Sequence, residues 1–174
     1  STGYKICQKI WCADWDVLYN LSNRAGNHGV GHFFRGGEIL LQILRNNPRH
    51  DGLLTLELDE DQLPDQAALE NLTLRLRSLG FGLGLQHFGG RFSMIGNLAK
   101  LGLGYLKVDG SYIRDIDQEN DKRLFIEAMQ RAANSIDLPL IAERVESQGE
   151  WQVLRAMGIN GVQGRLFGAP GPWL

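Results

Sequence analysis

LGFGLGLQHFGGRFSMIGNLAKLGLGYLKVDGSYI (residues 79–113) alternates apolar runs with glycine-rich breaks in the order strand, loop, helix, strand. Phe81 to Leu85 is a short apolar run, expected to stop at Gln86-His87 just before the Gly89-Gly90 pair. Ser93 is placed to cap a short helix carrying Met94, Ile95, Leu98 and Leu101 on one side. Gly102 and Gly104 end that helix, and Tyr105 to Val108 follows as a second buried strand. Polar groups thus fall where each strand ends: Gln86 and His87 after the first, Lys107 and Asp109 around the second. In parallel α/β folds ligands bind at that edge, because its loops vary without disturbing the core.

On the N-terminal side, residues 1–16 carry Ile6, Ile10 and Trp11 at helical spacing, with Trp11 and Trp15 read as packing aromatics. Val17 to Tyr19 is a short strand ending at Asn20. A glycine-rich loop holding His28 and His32 follows. The glycines at 26, 29 and 31 argue against the helix that would present those histidines as a metal pair. Glu38 to Arg45 reads as a helix stopped at Asn46-Asn47-Pro48, and Leu53 to Leu58 as a strand with Glu57 near its end. Pro64-Asp65 opens a helix on Leu69, Leu72, Leu76 and Leu79 that Gly80 closes.

Beyond residue 113, Asp121 to Ile136 is an amphipathic helix expected to bury Leu124, Phe125, Ala128, Met129, Ala132 and Ile136. Leu138 to Ala142 is a strand ending in Glu143. Ser147 and Glu150 form a capping box for a helix closed by Gly158, and Ile159 to Val162 is a last strand ending at Gln163. Six strand-led units without a hairpin signal mean a parallel sheet. Each delivers a polar group at its carboxyl end, which a barrel gathers at one mouth and an open doubly wound sheet spreads along a line; the barrel is favoured. A closed barrel needs eight strands, and six are legible.

The 174 residues suggest one domain, 1–174, with an ordinary globular composition of 43% hydrophobic and 22% charged residues. A net charge of −2, with scattered Lys and Arg, gives no support for binding DNA or RNA. Cys7 and Cys12 are too few for a zinc site or a disulfide framework and read as reduced cytosolic thiols. No apolar run reaches about 18 residues, and no signal peptide opens the chain.

The runs VLYNLS (17–22), LTLELDE (54–60), FGLGLQHFGG (81–90), YLKVDGSYI (105–113), LIAERVE (140–146) and VQGRLFGAP (162–170) resemble, in order and spacing, the motifs of the EAL-domain family. The resemblance runs from about residue 17 onward and leaves 1–16 poorly matched. It implies a TIM-barrel-like (β/α)8 fold whose early strands are not found here. Active members cleave cyclic di-GMP with two divalent metals at the barrel mouth, and ions about 4 Å apart need several carboxylates around them. By the same resemblance Asn20 and Glu57 match metal-binding positions and Glu60 a loop-steadying glutamate. Lys107 matches a water-positioning lysine, Glu143 the acid of the AEGVE motif, and Gln163 a glutamine near the last strand. Pro170 closes a terminal loop beside a guanine, with Phe167 as a stacking ring. Gln86, His87 and Asp109 complete the expected ligand-binding set.

Three departures stand out. Gln86-His87 replaces two adjacent aspartates, GGRFSMIG (89–96) replaces GTGYSSL, and no Glu-Ala-Leu segment exists. An amide and an imidazole do not hold two hard cations. The expectation is therefore a domain that is not an enzyme, with no catalytic residue, no metal and no required cofactor, and with cyclic di-GMP as its ligand. The wording of residues 86–113 and 121–147 is most similar to the C-terminal domains of LapD-type receptors. That similarity implies a homodimeric cytoplasmic domain of a bacterial inner-membrane receptor, working with degenerate GGDEF and signalling-helix segments. Nucleotide binding would there control a periplasmic protease and biofilm adhesion. Two other readings stay open: an interaction module that has lost the nucleotide, and an active phosphodiesterase using His87 in an unusual metal site.

Overall fold

The computed structural model describes residues 5–6, 42, 45–46, 55–63 and 65–168. Asn20, Pro170, the two cysteines, Trp11, Trp15, His28 and His32, and the strand expected at 17–19, lie outside them. Of the helix expected over 38–45, Gln42, Arg45 and also Asn46 are helical.

Among the described residues six strands form one wholly parallel sheet: β1 (Lys5–Ile6), β2 (Thr55–Asp59), β3 (Gly82–Phe88), β4 (Tyr105–Val108), β5 (Leu140–Ala142) and β6 (Gly161–Val162). Their order is β1-β6-β5-β4-β3-β2, the ordering of a partial TIM-barrel-like α/β fold. The helix expected over 1–16 is corrected at Lys5–Ile6, which pairs with Gly161 and Val162. Ladder hydrogen bonds at a sheet edge outweigh a weak helical pattern there.

Strand parity sorts the chemistry. Leu56 and Leu58 of β2 are buried in the core, and the register sets Thr55, Glu57 and Asp59 beside Gly82, Gly84 and Gln86 of β3. Gly84 in turn faces Tyr105 of β4. One face is therefore apolar and helix-covered, while the other carries Glu57, Tyr105 and Lys107.

Helix α1 (Gln66–Ser78) starts where the Asp65 side chain accepts from Ala68 N at 2.9 Å, and ends at Gly80 with φ 82°. Its Leu69 and Leu76 are buried, each such side chain stabilising by about 1.5–3 kcal/mol. After β3 comes a 3-10 turn, Phe92–Met94, then the single-turn α2 (Ile95–Leu98). Ser93 lies inside that turn, so the expected cap is corrected: neither segment has a side-chain cap. Helix α3 (Gly110–Ile113) is capped by Asp109, whose carboxylate accepts from Ser111 N.

Helix α4 (Asn120–Ser135) buries Ile126, Met129, Gln130 and Ala133, while Leu124 is exposed. Met129 is buried as expected and Phe125 and Ile136 pack against the core, but the most buried row is shifted toward Ile126, Gln130 and Ala133. Gln130 faces inward because its Nε2 donates to Asn160 Oδ1 (3.0 Å) and Asn134 Oδ1 (2.8 Å). Helix α5 (Gln148–Ala156) carries the Ser147/Glu150 capping box as expected and ends at Gly158, φ 75°. Among the described residues no helix is long and apolar enough to cross a membrane.

Candidate functional site

The carboxyl ends of β2 to β6 all lie on one edge of the sheet, as those of parallel strands must. At the base, Glu57 and Lys107 form a buried ion pair, Nζ to Oε1 2.5 Å, with side chains 1% and 2% exposed. Tyr105 donates its hydroxyl to the same Glu57 oxygen at 2.6 Å. Burying such a pair is costly unless its geometry is good and further hydrogen bonds satisfy it, as the Tyr105 hydroxyl does here.

Above that pair, β3 does not stop at Gln86-His87, as its polar residues suggested. Leu85 pairs with Leu106 but Phe88 with Val108, so β3 holds one extra residue opposite β4. The bulge is absorbed at His87, whose φ is 53°, and it returns Phe88 to the core. His87 is thereby aimed between two carboxylates: Nδ1 lies 2.6 Å from Asp59 Oδ2 and Nε2 3.4 Å from Glu143 Oε1.

The electrostatics follow from this packing. Burial pushes the His87 pKa down, but the Asp59 hydrogen bond and the charges of Glu143, Asp59 and Asp109 outweigh it, so the value is raised above 6.5. Burial raises the Glu143 carboxyl above its usual range, against the pull of His87, the Gly110 N–H and Lys107. Burial acts in the same direction on Asp109, but two hydrogen bonds from Ser111 and the charges of His87 and Arg144 hold its pKa low.

Glu60, buried after β2, accepts from three successive backbone N–H groups, Gly89 (3.5 Å), Gly90 (3.1 Å) and Arg91 (2.6 Å). It fixes the loop after the bulge, the role its motif position implied. Gly89 is needed there: a Cβ would lie 2.3 Å from the Tyr112 ring.

His87 and Asp109 line an open cleft of about 420 Å³ with Asp59, Ser111, Tyr112 and Arg144. Donor atoms of His87, Asp109 and Glu143 lie within 4.8 Å of one another, a spacing a single cation can bridge. Gln163 ties β5 to β6 through its backbone, donating to Ala142 O and accepting from Val145 N, while its buried Oε1 has no partner among the described residues. Phe167 stands edge-on to Trp151, with centroids 5.5 Å apart. Of the expected set, Glu57, His87, Lys107, Asp109 and Glu143 are thus brought together, with Gln86 beside them on β3. Asp59, Ser111, Tyr112 and Arg144 were missed. Asp59 was legible, sharing strand parity with Glu57; the other three depend on loop geometry that sequence spacing does not encode.

A family model described as the EAL domain matches residues 35–170, a span that begins after VLYNLS. The cyclic di-GMP phosphodiesterase NbdA of Pseudomonas aeruginosa is 37% identical over 122 residues, covering 68% of this chain and 15% of NbdA. MucR of the same organism, a bifunctional diguanylate cyclase/cyclic di-GMP phosphodiesterase, is 26% identical over 161 residues, covering 92% of this chain and 23% of MucR. The chain thus spans about a quarter or less of the length of these relatives. The solved MucR phosphodiesterase in complex with c-di-GMP superposes with a TM-score of 0.65 at 27% identity, over 71% of this chain and 50% of that one. The parallel strand order, the polar mouth and this family match lead to one assignment: the chain belongs to the EAL-domain family.

Proposed function

We propose that this chain is a cyclic di-GMP receptor domain that holds the nucleotide without cleaving it. The observation that carries the reading is His87. At a position where the motif resemblance implies an aspartate in active members, an imidazole is hydrogen-bonded to Asp59 and approaches Glu143. Its ring, whose protonated form these carboxylates favour, sits among the acidic groups that two hard cations would otherwise occupy. Gln86 beside it is neutral, and Glu57 is already paired with Lys107. This donor set does not fit a two-metal centre, which needs several free anionic oxygens. Binding without turnover suits a receptor, because the ligand then persists long enough to bias a conformational equilibrium. In a LapD-type parent that bias would act on a dimeric inner-membrane receptor and, through it, on a periplasmic protease and adhesion.

One observation favours a second reading. His87, Asp109 and Glu143 can bridge one borderline cation, and the named relatives are phosphodiesterases. The two readings separate in an assay for linear dinucleotide with manganese or zinc present. The receptor reading expects none above the rate without protein. Metal-dependent product whose formation Glu57→Ala abolishes would overturn it.

A further inference from the structure

The cleft is rich in negative charge, with Asp59, Glu60, Asp61 and Asp109 on its walls. A cyclic dinucleotide carries two phosphodiester charges of the same sign, so its binding requires compensating cations. Two side chains lining the cleft can supply them, His87 and Arg144. His87 is already engaged by Asp59 and Glu143. Arg144 is exposed and feels the charge of Asp109, but among the described residues its guanidinium makes no direct hydrogen bond or ion pair, leaving its donors available.

Its backbone is also unusual. Four described non-glycine residues have left-handed φ: His87, Asp115, Asp137 and Arg144, the last at 56°. Aspartate and histidine visit this region several-fold more often than other side chains, whereas arginine gains nothing locally from it. The neighbours impose the turn. Glu143 accepts from Gly110 N, and Val145 is clamped to Gln163 and Leu166 on either side. The Arg144 stem lies against Gly110, where a Cβ would come within 2.5 Å of Arg144 Cδ. A cation held in left-handed backbone, laid over a glycine at the rim of an acidic cleft, is attracted by Asp109 but hydrogen-bonded to nothing among the described residues, a combination that is costly for stability alone and points to a ligand.

We propose that Arg144 is the phosphate-binding cation of this cleft, its guanidinium pairing with a phosphodiester of the bound cyclic dinucleotide where metal ions are not held. This rests on the cyclic di-GMP reading above. The planar fork of arginine matches two phosphate oxygens at once, which a lysine ammonium does not.

The test is calorimetric titration of cyclic di-GMP into the full 174-residue chain and its variants with a chelator present, beside thermal melts without nucleotide. Arg144→Gly is expected to melt no lower than the parent, because glycine adopts left-handed φ without strain. Its Kd is expected to rise roughly ten- to a hundredfold, the loss of charge-assisted hydrogen bonds. Arg144→Gln, which keeps the stem, is expected to lose affinity likewise, and Arg144→Lys to fall between. Undiminished affinity in Arg144→Gly and Arg144→Gln overturns the assignment while leaving the receptor reading intact. If the parent chain itself does not bind, both fall.

Discussion

Around His87 the decisive chemistry is one ring and its three acidic neighbours. The imidazolium is stabilised by Asp59, Glu143 and Asp109 more than burial disfavours it, so its folded pKa is raised. A raised value stabilises the folded chain fully below the unfolded pKa of about 6.5, and this stabilisation is lost as the pH climbs through the folded value. His87→Asn is therefore expected to lower the melting temperature more at pH 6 than at pH 9; equal losses at both would contradict the ion-pair account. Gln86-His87 was legible as a departure from an acidic pair. That His87 would meet Asp59 was not, because the contact depends on a bulge, and a bulge is set by the pairing of two strands distant in sequence. Arg144 was equally hidden, since nothing in AERVE announces a left-handed backbone.

Among the elements, those bounded by local chemistry were read well. Helix α1 starts at Asp65 and stops at Gly80, and α5 starts at its capping box, because caps act within four residues. The stripe of α4 was only partly legible because its buried row includes Gln130, which polarity places outside and whose Nε2 is satisfied within by Asn134 and Asn160. Ser93 failed as a cap because a 3-10 turn occupies its position. The loop after β3 is tied by Glu60, and this supports a prediction at the same scale. Glu60→Ala leaves three backbone N–H groups without their acceptor and is expected to cost about 1–3 kcal/mol in urea unfolding. Amide exchange should accelerate first at Gly89, Gly90 and Arg91. Unchanged protection there would show that the loop is held by other means.

Across the whole molecule, regular strand-helix alternation was enough to predict a parallel sheet, and the structure bears this out with six parallel strands among the described residues. The first strand escaped because Lys5–Ile6 is two residues long, too short for any period to register, and is defined only by its pairing with β6. The gathering of Glu57, Lys107, Asp109 and Glu143 was legible because parallel strands all end on the same edge of the sheet and a barrel-like curvature draws that edge into a mouth. The proposed function is a property of that mouth as a whole: acidic side chains arranged around a histidine and an arginine. The most direct measurement is equilibrium dialysis of labelled cyclic di-GMP against the chain with manganese present, followed by chromatography of the nucleotide recovered from the protein side. The account predicts saturable retention of nucleotide that elutes as the intact cyclic form; recovery as linear dinucleotide, or no retention, would contradict it.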